Sequence, residues 1–417
     1  MAPFWSGSDG PPSLWLGRGG GTVTEVEVAV VGGGVVGLSA AYWLTRMGKR
    51  PLLLEAGHLA GRASGRNAGF LLTGSPELFS SFERRLGSEA ARAFWELSRD
   101  SRELLRTELL DSGRVECRFR PEGSWLAVVG GGDGEDGADE AEDEAELRTS
   151  GERLAELGFE LEWHEGAAVE RASGSPRIRA ALHQPRDGGL DPVLLCRGIA
   201  AAGGFPVRTG AWVHRLEPRG GRIEIVADGG SVLAERVVVA LNAYAPALLP
   251  WLAREIRPVR GQMLATGPGE RSIRGVWYLN HGFEYVRQAD DGAVVAGGGR
   301  RALRRSEIGY LEHPTASVQG ALERFLHETY PAFAERPIER RWAGVMAFTE
   351  DGLPRFGEAP GLPGVVYAAG FNGHGLSLGF ATGRWLARRV LGETGEPLLP
   401  PARPGAPPSP LLSWSAW

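Results

Sequence analysis

The chain has 417 residues, more than the roughly 100–200 of an ordinary domain, so one large composite fold or two domains are expected. Hydrophobic residues make up 42% and charged residues 23%, which excludes a collagen-like, wholly disordered or membrane-embedded chain. The formal charge is −5, with 46 Lys plus Arg against 51 Asp plus Glu, so no basic footprint points to nucleic acid as a partner. Cys117 and Cys196 are too few for a disulfide scaffold and too far apart for a zinc or CxxC motif, which suits a cytoplasmic protein. No signal peptide or membrane span is expected, because no basic n-region precedes an apolar h-region and no run reaches about 18 uncharged apolar residues.

In chain order, residues 1–24 mix proline and glycine without hydrophobic periodicity and read as a flexible arm. Val26–Val31 follows as a nearly continuous apolar β-branched run, the pattern of a strand buried on both faces of a parallel sheet. It leads into Gly32-Gly33-Gly34-Val35-Val36-Gly37, an apolar helix through Leu44, and a second strand ending at Glu55. In such a unit Gly32 allows the tight turn, Gly34 lets the backbone approach a pyrophosphate, and Gly37 lets helix and strand pack closely. The amides at the helix start then face the phosphates. Glu55 stands near the roughly 20-residue spacing at which an acid accepts ribose hydroxyls and repels a 2′-phosphate. A GxGxxG alone matches many glycine turns, but strand, helix and acid together point to a dinucleotide, without separating FAD from NAD.

Further on, Gly130–Glu146 is a glycine- and acid-rich stretch expected as a solvated surface loop running into a helix near Glu144–Gly158; no metal site is read from it or elsewhere. Val237–Leu241 and Val365–Ala369 repeat the buried-strand pattern. Between Gly261 and Gly299, Phe283–Arg287 and Ala293–Ala296 flank a turn at Asp290-Asp291-Gly292, an antiparallel hairpin. Phe283, Tyr285 and Arg287 share one face of that strand and could line a pocket, or be packing plus a surface arginine. Arg300-Arg301 and Arg304-Arg305 read as solvated surface or subunit contact. Leu376–Leu391 reads as a helix carrying Arg384, Arg388 and Arg389 in its second half, where cations suit the dipole. The Pro-rich stretch 396–417 is expected as a flexible tail.

The alternation of sheet types implies an α/β fold with a discontinuous dinucleotide domain over 25–85, 160–255 and 340–395 and a second domain over 86–159 and 256–339.

Glu55-Ala56 followed by Ser64-Gly-Arg66-Asn67-Ala68-Gly69 resembles the amine-oxidising FAD-dependent oxidoreductases of the glycine oxidase, sarcosine oxidase, D-amino-acid oxidase and γ-glutamylputrescine oxidase family. Gly189-Leu-Asp191-Pro192, Thr209–Val213, Val237–Asn242, Arg257–Gln262, Arg341–Gly344, Asp351–Pro354 and Ala369–Leu376 follow in the family order, covering about residues 26–392. The resemblance implies a glutathione-reductase-like FAD-binding Rossmann domain with a mixed-sheet or antiparallel-sheet substrate domain. It adds Ala56, Ser64, Arg66, Asn67, Ala68, Gly69, Val213, Asn242, Gly344, Gly370, Asn372, Gly373, Gly375 and Leu376 to Gly32, Gly34, Val35, Val36, Gly37 and Glu55 as cofactor contacts. His374 and Tyr285 become candidate catalytic residues, although His374 could merely donate a hydrogen bond to the cofactor, and Phe283 and Arg287 become candidate substrate contacts.

Departures from the family bear on the chemistry. No cysteine lies in Gly344–Gly352, where sarcosine oxidases attach flavin, so non-covalent FAD is expected. Lys49, the only lysine, lies between the first helix and the Glu55 strand rather than over the flavin. Gly373 stands where glycine oxidase carries a carboxylate-binding arginine, which shifts weight from a small amino acid toward an amine. The expected reaction is hydride transfer from the carbon of an amine or amino-acid C–N bond to flavin, then imine hydrolysis, with O2 or another acceptor taking the electrons. The alternatives are a dehydrogenase passing electrons to a quinone or carrier, a non-catalytic flavin protein, and an NAD-binding protein without flavin.

Overall fold

The first sheet is built where apolar runs leave no polar face to solvent. In the computed structural model, which describes residues 4–7, 23–75, 77–130, 137–403 and 405–410, strand Thr24–Val31 lies between parallel neighbours Gly230–Val239 and Leu52–Leu54. Val207–Arg208 extends the sheet beyond Leu52–Leu54, while Val365–Ala369 and then antiparallel Arg355–Glu358 extend it on the other side. Alternate residues serve two cores. Val28, Val30, Leu53 and Val238 pack with helices Val35–Arg46, Pro192–Gly203 and Gly375–Val390, whereas Ala29, Val31, Leu54 and Val239 pack under the antiparallel ribbon Val213–Ala227. The expected buried parallel strands are therefore present.

A second sheet runs in the order Ile338–Thr349, Ile256–Thr266, Val294–Gly298, Glu284–Gln288, Val276–Leu279, Ser124–Ala127, Ala180–Gln184 and Glu162–Glu165. All its pairings are antiparallel except Val276–Leu279 with Ser124–Ala127. Helix Ala316–Thr329 presses Val318, Leu322 and Leu326 against Trp277 and Val286 on one face. The expected hairpin closes at Asp290–Gly292, with Gly292 N donating to Ala289 O at 3.0 Å. Asp187, fully buried, ties the second sheet to the segment after Phe70–Leu71 and to helix Ser88–Leu105: it accepts from Ser124 Oγ at 2.7 Å and from Thr73 N and Oγ1 at 2.9 Å and pairs with Arg102.

Several sequence expectations change. Glu162–Glu165, Ala180–Gln184 and Ile338–Thr349 include residues placed with the dinucleotide domain, yet they are strands of the second sheet, joined to it through the distant strands Ser124–Ala127 and Ile256–Thr266. The acidic stretch enters its helix at Gly137 rather than near Glu144, held by Leu147 and Leu154 in the core and by Glu146 against Arg84; residues 131–136 lie outside the described residues.

Within the arm, Phe4–Gly7 forms a 3-10 turn, and Trp5 is buried with Nε1 donating to Asn67 O at 2.9 Å; residues 8–22 lie outside the described residues. The tail docks as far as Pro410. Leu399 is buried, Arg403 donates to Arg84 O and Arg85 O, and Ser409 N donates to Glu350 O. Aperiodic composition hides such single-residue anchors. No helix among the described residues is long and apolar enough to cross a membrane.

Candidate active site

A long cleft follows the carboxyl ends of the parallel strands and continues to the face of the second sheet. Its first end is set by sterics. Gly32 has φ +114°, and a Cβ there would lie 2.5 Å from Ala240 O; a Cβ on Gly37 would lie 2.0 Å from Gly32 O. The turn closes only with hydrogen at both positions, and helix Val35–Arg46 begins against the strand ends with no capping side chain from Gly34. Ser64 Oγ accepts from Val35 N at 3.0 Å, and the other early amides are free to meet an anion. Glu55 accepts from Gly33 N at 2.7 Å through Oε2 and from Gly57 N at 2.8 Å through Oε1, keeping lone pairs for a ribose hydroxyl. Ala56, Ala211 and Val213 border the same end.

The middle is bordered by the 63–69 loop. Asn67 donates to Ala63 O and Ser64 O and accepts from Gly69 N, and Arg66 donates to Gly61 O and Ala343 O. Both side chains are spent on shaping the loop, so the cleft sees mainly its backbone and Ala68. Asn242 Oδ1 accepts from Gly370 N at 3.1 Å, and Asn372 joins Thr349 N at 2.9 Å, fixing the turn ahead of helix Gly375–Val390. This helix also begins without a capping side chain. The alternation of donors and close backbone fits a dinucleotide with an extended ring system toward Gly344 and Asn372–Leu376.

Beyond that end lies an aromatic chamber. Tyr278 and Tyr285 face each other across adjacent strands, ring centroids 6.1 Å apart, with Phe70 at 5.4 Å from Tyr278. A side chain at Gly297, opposite Tyr285, would lie 2.3 Å from its ring, so the glycine makes room for it. Burial raises both phenols, Tyr285 to about 12, so they stay protonated donors at neutral pH. His374 is buried, with its centroid 6.4 Å from that of Tyr278 and no partner for Nε2 among the described residues; burial lowers it to about 4, so the ring is neutral.

Most of the sequence-derived residues meet at the cleft, but five do not border it. Gly37 packs against the turn, Gly69 lies behind the loop, and Gly370 sits under Asn242. Phe283 lies just before its strand, under Arg304 at 4.9 Å. Arg287 shares the face of Tyr285, but its guanidinium donates to Gly69 O and Leu190 O and stacks on Trp5 at 4.9 Å, so it is a loop anchor rather than a substrate contact.

Among the residues the sequence reading did not select, Tyr278 and Arg300 border it. Arg300, expected as solvated surface or subunit contact, is 8% exposed and lies over Phe348 at 5.1 Å, with Glu284 and Glu307 acting on it only beyond ion-pair range. Burial lowers its pKa. The signal was the run Gly297-Gly298-Gly299, which ends the strand and admits the long side chain.

Two outcomes follow from this geometry. Glu55→Gln removes a charge-assisted acceptor worth about 1.5–3 kcal/mol, so dinucleotide affinity measured by titrating apoprotein should fall roughly 10–100-fold; unchanged affinity removes Glu55 from the site. An unfolded histidine titrates near 6.5 and folded His374 near 4, so the unfolded chain binds the proton first and stability drops as pH falls through that window. His374→Asn should flatten this acid limb in urea midpoints taken across the window, and an unaltered limb means that other groups set it.

Comparison with known proteins agrees with the geometry. The chain is 27% identical over 384 residues to gamma-glutamylputrescine oxidoreductase of Escherichia coli (strain K12), covering 88% of this chain and 84% of that one. It is 25% identical over 388 residues to glycine oxidase of Bacillus licheniformis, covering 88% and 93%. The crystal structure of glycine oxidase from Geobacillus kaustophilus superposes with a TM-score of 0.74 at 22% identity, over 90% of this chain and 97% of that one. The profile of the FAD-dependent oxidoreductases of the DAO family matches residues 27–389, and the chain belongs to that family of FAD-binding flavoenzymes.

Proposed function

We propose that the protein oxidises the C–N bond of a carboxylate-bearing amine, an amino acid or an N-substituted one. The observation that carries this reading is Arg300, a buried guanidinium that borders the aromatic chamber with no carboxylate within ion-pair distance among the described residues. A cation in that setting is favourable chiefly when a ligand anion completes it. Gly373 stands where a carboxylate-binding arginine was expected, and Arg300, just after strand Val294–Gly298, would take that role instead.

Bound FAD supplies a two-electron acceptor for hydride from the substrate carbon, after which the imine hydrolyses. The chain's own residues select and orient. Arg300 would hold the carboxylate, while the walls of Phe70, Tyr278 and Tyr285 exclude water and favour the uncharged amine over its ammonium form. Tyr278 and Tyr285 remain hydroxyl donors, and neutral His374 adds no competing positive charge. The uncapped amides starting helix Gly375–Val390 offer donors to negative charge developing at that end. FAD is held without a covalent bond, since Cys117 and Cys196 are both buried away from the cleft.

One observation favours a dehydrogenase over an oxidase. Lys49, the only lysine, pairs with Glu27 outside the cleft, so no lysine is at hand to assist O2 reduction.

Anaerobic addition of amino acids, N-substituted amino acids and simple amines should bleach the flavin band with a carboxylate-bearing member of the panel. Rapid recovery in air with hydrogen peroxide identifies an oxidase; slow recovery with turnover on a quinone identifies a dehydrogenase; bleaching only by amines lacking a carboxylate refutes the proposal. Arg300→Gln should weaken the carboxylate substrate about 10–100-fold in KM, the loss of a charge-assisted contact, and an equal loss for the decarboxylated amine would assign Arg300 to structure. Separately, acid precipitation should release all the yellow chromophore into the supernatant; colour kept in the pellet means a covalent link.

A further inference from the structure

We propose that Glu162, His164 and His183 form a site for one divalent transition-metal ion of the zinc class, at the outer edge of the second sheet. Glu162 and His164 alternate along the edge strand Glu162–Glu165 and therefore project from the same face. His183 stands directly opposite Glu162 on the neighbouring antiparallel strand, completing a triangle across two strands.

The triangle already has nearly the right size. His164 Nε2 lies 2.9 Å and His183 Nδ1 3.2 Å from the same Glu162 oxygen, and one ligand atom from each residue lies within 4.8 Å of the others. A tetrahedral ion with bonds of about 2.0–2.2 Å separates its ligands by about 3.3 Å. Two edges are close to that value, and small side-chain rotations adjust the third. Two imidazoles and one carboxylate suit zinc, nickel or copper rather than magnesium or calcium.

The rings are held before any ion arrives. Trp125 stacks on His183 at 3.9 Å and 22°, lies 5.2 Å from His164, and stacks on Trp277 at 4.9 Å. Glu162 is exposed and both histidines are partly so, giving an ion access from solvent and water as its remaining ligand. None of the three borders the cleft, so the ion would act as a staple. It would tie the last strand of the sheet to its neighbour, where an unpaired edge is otherwise open to fraying or to another chain.

The test uses the flavin-loaded protein after treatment with a chelator. Calorimetric titration with zinc chloride should give one saturable equivalent, and cobalt chloride should give the absorption bands of a tetrahedral or five-coordinate ion. His164→Ala and Glu162→Gln should each lower zinc affinity by at least about tenfold, as expected for loss of a ligand that the neighbouring groups hold in place. The flavin spectrum, unchanged in both variants, shows that they fold. Zinc should also raise the thermal midpoint of the parent protein and not of the variants, because an ion that binds only the folded state adds to its stability. Absence of saturable binding in the parent, or equal binding in parent and variants, overturns the proposal and leaves Glu162 as a carboxylate that merely accepts from two histidines.

Discussion

The contact on which the rest depends is that of the Gly32–Gly37 turn with Ala240 at the end of the adjacent strand. With the would-be Cβ of Gly32 2.5 Å from Ala240 O, the chain can reverse there only without a side chain. Close packing of this kind brings the first helix start to the carboxyl ends of the sheet. It also leaves Glu55, at the end of the next strand, able to grip the turn through Gly33 N and Gly57 N. Cofactor binding and sheet assembly are thus one steric arrangement, and a change at the turn affects both.

The second sheet is coupled to that arrangement by long-range polar contacts rather than by chain continuity. Strand Ile338–Thr349 pairs along its length with Ile256–Thr266 and delivers Gly344 and Val345 to the cleft. Asn372 then ties Thr349 to the loop that begins the last helix. On the opposite side the 63–69 loop is held from three directions, by Trp342 Nε1 on Arg66 O, by Trp5 Nε1 on Asn67 O and by Arg287 on Gly69 O. The aromatic chamber therefore lies between two elements whose positions are fixed by buried hydrogen bonds, which favours a preorganised pocket.

What was legible in the sequence was what local pattern encodes. Continuous β-branched runs announced parallel strands, and the glycine turn with an acid at the right spacing announced the dinucleotide site before any tertiary contact was known. Alternation put Tyr285 and Arg287 on one face, correctly, but it carries no information about what stands above that face. Arg287 meets two carbonyls and Trp5; Tyr285 meets an open chamber. Arg300 escaped for the converse reason, since a pair of adjacent arginines after a glycine run looks solvated until the surrounding Phe283 and Phe348 are placed. Trp5 and Ser409 show the same limit in the arm and tail, where one docked side chain or amide leaves no periodic trace.

Arg287 and Arg300 are two buried cations with different surroundings. Both are nearly inaccessible, 5% and 8% exposed, and desolvation lowers both. Removing a guanidinium from water is costly unless its N–H groups find acceptors or its charge finds a counterion. For Arg287 the acceptors are carbonyl oxygens and the plane is covered by an indole, so the cost is met inside the protein by groups that also hold the cofactor loop. Arg300 has aromatic rings beneath it but no carboxylate in range among the described residues, and it borders the cleft. Glu284 and Glu307 act on it only at longer range, so on the proposed reading an anionic substituent of the substrate adds the direct partner while the rest of the substrate lies against Tyr278 and Tyr285. Under the proposed function this buried charge, more than the shape of the chamber, would distinguish a carboxylate-bearing substrate from a simple amine.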